Sequence, residues 1–179
     1  RYTDEDEAIN IPARLAELAA YLKEKTERLG LPMPRFLMEP GRSIVADAGM
    51  TLYTVGSVKR IPGYKQYAAV DGGMTDNPRY ALYQSRYTVY HAHKSGSMER
   101  FDVVGRCCES GDIIQPGVEL PGDTCRGDIL AVCTTGAYNY SMASNYNRLP
   151  RPAVVMLTPD RIYEAVSRET FADLTALDL

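Results

Sequence analysis

The run GRCCESGDII at residues 105–114 sets Cys107 and Cys108 side by side and follows them with Glu109, offering a thiol and an acid. Adjacent cysteines strain a mutual disulfide, and a zinc site wants its ligands spaced by about two residues. The plain alternative is that the thiols are small buried hydrophobes at a strand end. Three further stretches carry side chains of chemical interest. EPGR, residues 39–42, offers a carboxylate, a bare backbone amide and a guanidinium in succession, or else a turn with a surface ion pair. DGGMTDNPRYALY, residues 71–83, has paired glycines and then Arg79 and Tyr83. Those two are spaced to share one face if the segment turns helically. TTGAYNYSMASNYN, residues 134–147, is a strand end with Gly136 followed by Tyr138 among small polar residues, where a tyrosine can equally cap a core.

Elements must position these residues, and the chain supplies two kinds. Residues 8–29 place Ile11, Leu15, Leu18, Ala19 and Leu22 at helical spacing, with Gly30 as the stop. RFLMEPGR predicts a short buried strand over Phe36–Met38 that runs into a Pro-Gly turn, with room for one or two helical turns between Arg42 and Gly49. From Met50 onward the pattern changes to short strands: TLYTVGSVKR, KQYAAVDG, SRYTVYHA, RFDVVGRC, GDILAVCT and PAVVMLT. Their β-branched and aromatic residues lie between turn clusters such as IPGY and QPGVELPGD. The whole reads as a helix-strand unit joined to an all-β module, with no internal repeat. A lone helix-strand unit cannot form an α/β domain, because a parallel strand is buried between neighbours on both sides. The expectation is therefore the C-terminal part of a longer protein, entering near the end of an α/β barrel. Glu39–Arg42 would sit at a strand end, where such barrels keep functional residues.

Composition narrows the class. Lys and Arg number 20 against 23 Asp and Glu, a net charge of −3 without the basic stripe of a nucleic-acid binder. No apolar run is long enough to span a bilayer, and RYTDEDEAIN lacks a signal peptide's apolar region. Cys107, Cys108, Cys125 and Cys133 show neither zinc spacing nor the density of a secreted scaffold. A reduced cytoplasmic protein that holds no metal and binds neither nucleic acid nor membrane is expected. His91 and His93 fall in a polar loop after a strand and are expected to be exposed.

Taken in order, E-P-G-R, D-G-G-M with R-x-A-L-Y, C-E-S-x-D, and G-A-Y with N-Y-N resemble the C-terminal portion of the diaminopimelate decarboxylase family. These are pyridoxal-phosphate enzymes related to eukaryotic ornithine decarboxylase and, more distantly, to alanine racemase. The resemblance runs from Arg1 to about Thr158. It implies a mainly β chain: residues 1–48 as a remnant of a cofactor-binding (α/β)₈ barrel, and residues 49–179 as a Greek-key β-barrel or sandwich domain.

The same resemblance implies roles for individual residues. Glu39 would face the pyridine nitrogen of the cofactor, Gly41 would give its amide to the phosphate, and Arg42 would lie beside the phosphate and a substrate carboxylate. Arg79 and Tyr83 would hold the substrate's far end. The family commonly has proline after that arginine, where this chain has Tyr80. Cys108, rather than Cys107, would protonate the carbanion left by loss of CO₂. Glu109 would bind the ammonium at the substrate's D-configured centre, and Tyr138 would serve the phosphate and the substrate. Cys107, Cys125 and Cys133 would be structural. Ornithine-decarboxylating relatives carry aspartate after the cysteine, whereas Glu109-Ser110 is the diaminopimelate form.

A homodimer with shared active sites is implied, together with an N-terminal barrel supplying the cofactor-linking lysine, a stacking histidine and a glycine-rich phosphate loop. Lys23, Lys25, Lys59, Lys65 and Lys94 lie outside that lysine's motif, so this chain alone is expected to be inactive. Ornithine- or arginine-directed relatives are the alternative within the enzyme class. A non-catalytic dimerisation or binding relative is the alternative outside it.

Overall fold

In the computed structural model, which describes residue 3 and residues 5–179, Asn10 opens the first helix. Its side-chain oxygen accepts the Ala13 N–H at 3.1 Å and Pro12 occupies the first turn, so α1 spans Ile11–Leu29. Gly30 ends it at φ +65°, a left-handed conformation that lets the Leu31 N–H reach back to the Thr26 carbonyl at 2.9 Å. The helix buries none of its residues. Its expected apolar face is real, because Leu15, Leu18, Ala19 and Leu22 line a shallow groove with Met33, Phe36 and Met38.

Phe36–Met38 corrects the sequence reading. The segment is neither paired nor buried, with Phe36, Leu37 and Met38 all at least half exposed. Among the described residues no strand lies alongside it, and a strand of this kind forms only between neighbours. The expected helical turns after it do form, as α2 (Arg42–Val45) and a 3-10 turn over Ala46–Ala48.

Six strands follow: β1 (Met50–Arg60), β2 (Gln66–Val70), β3 (Val89–His91), β4 (Met98–Val104), β5 (Ile113–Pro121) and β6 (Ile129–Cys133). They form one sheet in the order β3-β6-β1-β2-β4-β5, antiparallel throughout except for the parallel β2–β4 pair. A register shift between Val55 and Ser57 bends β1, so that its first part pairs with β6 and its second with β2. The sheet nearly closes into a barrel. At the seam the Tyr87 N–H, just before β3, donates to the side-chain oxygen of Gln115 in β5 at 2.9 Å. Period-2 alternation fills the interior, with Tyr53 and Val55, Ala68 and Val70, Phe101 and Val103, and Leu130 and Val132 all pointing inward. Truncating the fully buried Phe101 to alanine is expected to cost about 3–5 kcal/mol.

β5 runs through the cluster expected to break the chain. Pro116 and Gly117 fit because they form a bulge opposite Asp102, with Gly117 at φ +67°. The Gly117 N–H leaves the ladder for the Asp102 side chain at 2.8 Å. β5 also lies at the end of the strand order, where proline is tolerated.

Beyond the barrel, β7 (Val154–Leu157) pairs with an unanticipated β8 (Ile162–Val166), and α4 (Phe171–Thr175) follows with a Thr170–Asp173 capping box. Glu169 ties this tail to the body. It accepts the Arg151 Nε–H at 2.7 Å, the Arg151 backbone N–H at 2.8 Å and the Asn145 amide at 2.6 Å. No helix among the described residues is long and apolar enough to cross a membrane.

His91 is the second correction. Its ring, only 2% exposed, folds back over its own loop. Nδ1 accepts the His93 and Lys94 N–H groups at 3.2 and 2.9 Å, and Nε2 lies 3.1 Å from Asp128. Burial raises the Asp128 pKa, but Lys94, the Cys125 N–H and His91 outweigh it and hold the carboxyl well below its ordinary range. His93 is exposed as expected.

Candidate active site

Arg79 and Tyr83 lie on α3 (Arg79–Tyr83), a one-turn helix that sets the guanidinium 4.8 Å from the Tyr83 ring centroid. The same guanidinium lies 5.9 Å from the ring of Tyr138, and that of Arg42 lies 5.3 Å from it. Arg79 is buried and Arg42 half-buried, so aromatic faces stand in for water around both cations. Gly41 is placed against the same tyrosine, and a Cβ there would collide with the Tyr138 hydroxyl. Two planar cations and a phenol hydroxyl around a backbone that carries no side chain form a donor set suited to a phosphate or a carboxylate.

The loop that delivers α3 is pinned by two carboxylates, the half-buried Asp76 and the buried Asp112. Asp76 accepts the Gly73 N–H at 2.9 Å and the Tyr53 hydroxyl. Burial pushes the Asp76 carboxyl up. It pushes the Tyr53 phenol up further, with Asp76 adding to the rise, so Tyr53 keeps its proton as the donor. Asp112 accepts the Met74 N–H at 2.6 Å from the other side.

The thiols of the cysteine loop part company. Cys107 is half-buried and its thiol is pushed up to about 11, first by burial and then by the neighbouring Asp112. Cys108 is exposed, and its N–H donates to the Asn147 side-chain oxygen at 2.7 Å. Asn147 can aim there because it sits at φ +54°, a conformation asparagine tolerates. Glu109 accepts from the Gly111 N–H and the Ser110 hydroxyl, each at 3.2 Å, and from the Tyr146 hydroxyl at 3.4 Å. The Gly111 N–H, ahead of Ser110, holds its carboxyl below the ordinary range, so Glu109 is a carboxylate at neutral pH.

Of the residues singled out in the sequence, the structure gathers Gly41, Arg42, Arg79, Tyr83 and Tyr138 into one cluster. Cys108 and Glu109 form a second, gripped by Asn147 and Tyr146. Glu39 belongs to neither and is exposed in the irregular segment after α1. Tyr138, Tyr146 and Asn147 share the strap that follows β6, so one stretch of chain serves both clusters. Sequence reasoning assigned no role to Tyr146, Asn147, Asp76 or Asp112. N-Y-N and C-E-S-x-D do contain three of them, so the signal was their place inside the motifs that carry the family resemblance.

Residues 18–136 match the family model of the C-terminal sheet domain of pyridoxal-dependent decarboxylases. The diaminopimelate decarboxylase of Bacillus subtilis is 48% identical over all of this chain, and that of Staphylococcus aureus is 39% identical over 99% of it. The chain spans 41% and 42% of their respective lengths. The crystal structure of diaminopimelate decarboxylase from M. jannaschii in complex with L-lysine superposes with a TM-score of 0.87 at 34% identity, covering 98% of this chain and 40% of that one. A barrel-like sheet is thus what this chain shares with those enzymes, and it belongs to the family of pyridoxal-dependent decarboxylases as their C-terminal sheet domain.

Proposed function

We propose that this chain is the C-terminal portion of a diaminopimelate decarboxylase, which converts meso-2,6-diaminopimelate to L-lysine and CO₂. The observation that carries the reading is the accessible Cys108 thiol followed by an ionised Glu109, within a chain matched end to end by proteins of that name. Pyridoxal phosphate, when bound, supplies the electron sink for the pair of electrons left behind by CO₂. Arg42, the Gly41 amide and the Tyr138 hydroxyl would hold its phosphate, and Arg42 also reaches a substrate carboxylate. Glu39 would keep a proton at the ring nitrogen. Arg79 and Tyr83 would fix the far end of the substrate, and Glu109 would bind the ammonium there. Because L-lysine forms only if CO₂ leaves the D-configured centre, that far centre is the L-configured one, which corrects the expectation of Glu109 at the D-configured centre. Cys108 Sγ would deliver the proton to the α-carbon that has lost its carboxylate. Cys107 is unsuited to that task, since its thiol is half-buried and its charged form is disfavoured.

We assign residues 1–48 to the end of a cofactor-binding barrel and residues 49–179 to the β domain. The remainder of that barrel would lie in the part of the relatives this chain does not span, and would supply the cofactor-linking lysine. The working form is a cytoplasmic homodimer in which Cys108 serves the partner's site. The test is CO₂ release by the full-length, cofactor-loaded protein from diaminopimelate, ornithine, arginine and lysine side by side. Diaminopimelate should be preferred by at least about 100-fold, as expected where a buried polar group is matched to a substrate group. Preference for ornithine or arginine would move the chain to that branch, and no release from any of them would make it a binding relative.

A further inference from the structure

Asp112 is the residue immediately before β5, and its side chain is buried, the residue being 4% exposed. One carboxylate oxygen accepts the Met74 N–H and the other the Cys107 N–H, each at 2.6 Å. Those donors belong to different loops, the one that carries Arg79 and the one that carries Cys108. Glycines flank the carboxylate from both loops. A Cβ on Gly73 would lie 2.7 Å from each carboxylate oxygen, and one on Gly105 would collide with them. Backbone bonds continue the seam, with the Gly105 N–H on the Asp112 carbonyl at 2.9 Å and the Arg106 N–H on the Gly72 carbonyl at 3.1 Å.

We infer that Asp112 is a positioning residue that clamps the cysteine loop to the Arg79 loop, fixing the thiol and the substrate-holding guanidinium relative to one another. Each of the two carboxylate oxygens accepts a backbone N–H in a space too tight for a larger group. Asp76, close by, makes a useful contrast. It accepts from Gly73, Thr75 and Tyr53, so it braces the Arg79 loop against β1 and does not touch the cysteine loop. The consequence for catalysis rests on the decarboxylase reading, whereas the clamp itself does not.

The experiment compares Asp112→Asn, Gly73→Ala and Asp76→Asn in the full-length, cofactor-loaded protein. Asparagine keeps the size of Asp112 but turns an NH₂ toward one of the two N–H donors. Gly73→Ala alters no hydrogen-bonding group and displaces the carboxylate by bulk alone, so it keeps the test alive if Asp112→Asn folds poorly. Amide hydrogen exchange is followed in peptides covering 72–75 and 105–109, together with the rate of Cys108 alkylation by iodoacetamide. Asp112→Asn and Gly73→Ala should speed exchange in both peptides about tenfold or more and change the alkylation rate. Asp76→Asn should loosen 72–75 alone and leave alkylation as it was. Turnover of diaminopimelate should fall about 100-fold with Asp112→Asn, the scale of a misplaced reacting group. Loosening of one loop only, or of neither, overturns the clamp. Loosening of both in a protein whose unaltered form decarboxylates none of the candidate amino acids upholds the clamp and removes the decarboxylase reading.

Discussion

Arg79 and Cys108 represent two ways of presenting a functional group from one barrel. Arg79 is buried, with Tyr83 and Tyr138 on its flanks, and Arg42 shares the second of those rings. Cys108 is exposed on a loop, its thiol open and its backbone held by Asn147. The first arrangement is stiff and partly dehydrated, which strengthens the grip of a cation on an anion. The second leaves the Cys108 side chain at the surface, open to whatever approaches the loop. The cysteine loop contains the same contrast in miniature, because Cys107, one residue earlier, faces inward toward Asp112 and Thr75. The two clusters are thus separate, and Asp112 accepts a backbone N–H from the loop of each.

Substitution of the two cysteines should produce the widest separation. In the full-length protein Cys108→Ala would remove the proposed proton donor and should lower kcat by about 100- to 10,000-fold. Cys107→Ala should leave kcat within about a factor of ten. Equal losses from the two would erase the distinction between them. Glu109→Gln should come next, lowering kcat/KM for diaminopimelate about 10- to 100-fold while the cofactor's absorbance stays unchanged, since a hydrogen-bonded charge is lost and the anion-holding cluster is untouched. Unaltered turnover and an unaltered preference over ornithine would take Glu109 out of the site.

A smaller effect separates the strap from the barrel through pH. Glu169 is held at about 2, against an ordinary 4.5, chiefly by the Arg151 side chain. A lowered folded-state pKa contributes stability that is fully present above the ordinary value and is lost as pH falls toward the folded one. Relative to its intrinsic rate at each pH, exchange of the Arg151 amide should therefore accelerate between pH 4.5 and about 2 before the barrel strands open. Glu169→Gln should abolish that step, and an acceleration that persists in this variant would exclude Glu169 as its cause.

Much of this was legible in the residues. β-Branched and aromatic enrichment between turn residues marked β1, β2, β4 and β6, and helical spacing marked α1, because both signals are local. β5 was hidden because Pro116-Gly117 reads as a break unless Asp102 is known to accept the displaced N–H. Phe36–Met38 misled for the opposite reason, its apolar run being local while the neighbours that would make it a strand are not. His91 looked exposed in a polar loop, and only the folded loop shows its ring turned back onto Asp128. Of the site, the residue types were readable. Their division into two clusters was not, because Asn147 meets Cys108 and Asp112 meets Met74 across long stretches of chain.

The proposed dimer makes the exposed Cys108 complete a site on a second subunit. Full-length protein carrying Cys108→Ala is mixed with full-length protein lacking its cofactor-linking lysine, under conditions of confirmed subunit exchange, and CO₂ release from diaminopimelate is measured. Each variant alone should be inactive. With random pairing, mixed dimers should restore about a quarter of all sites, because each contains one site with both lysine and thiol intact. Activity that stays at the level of the separate variants, with exchange verified, would show that Cys108 serves its own chain and would contradict the claim.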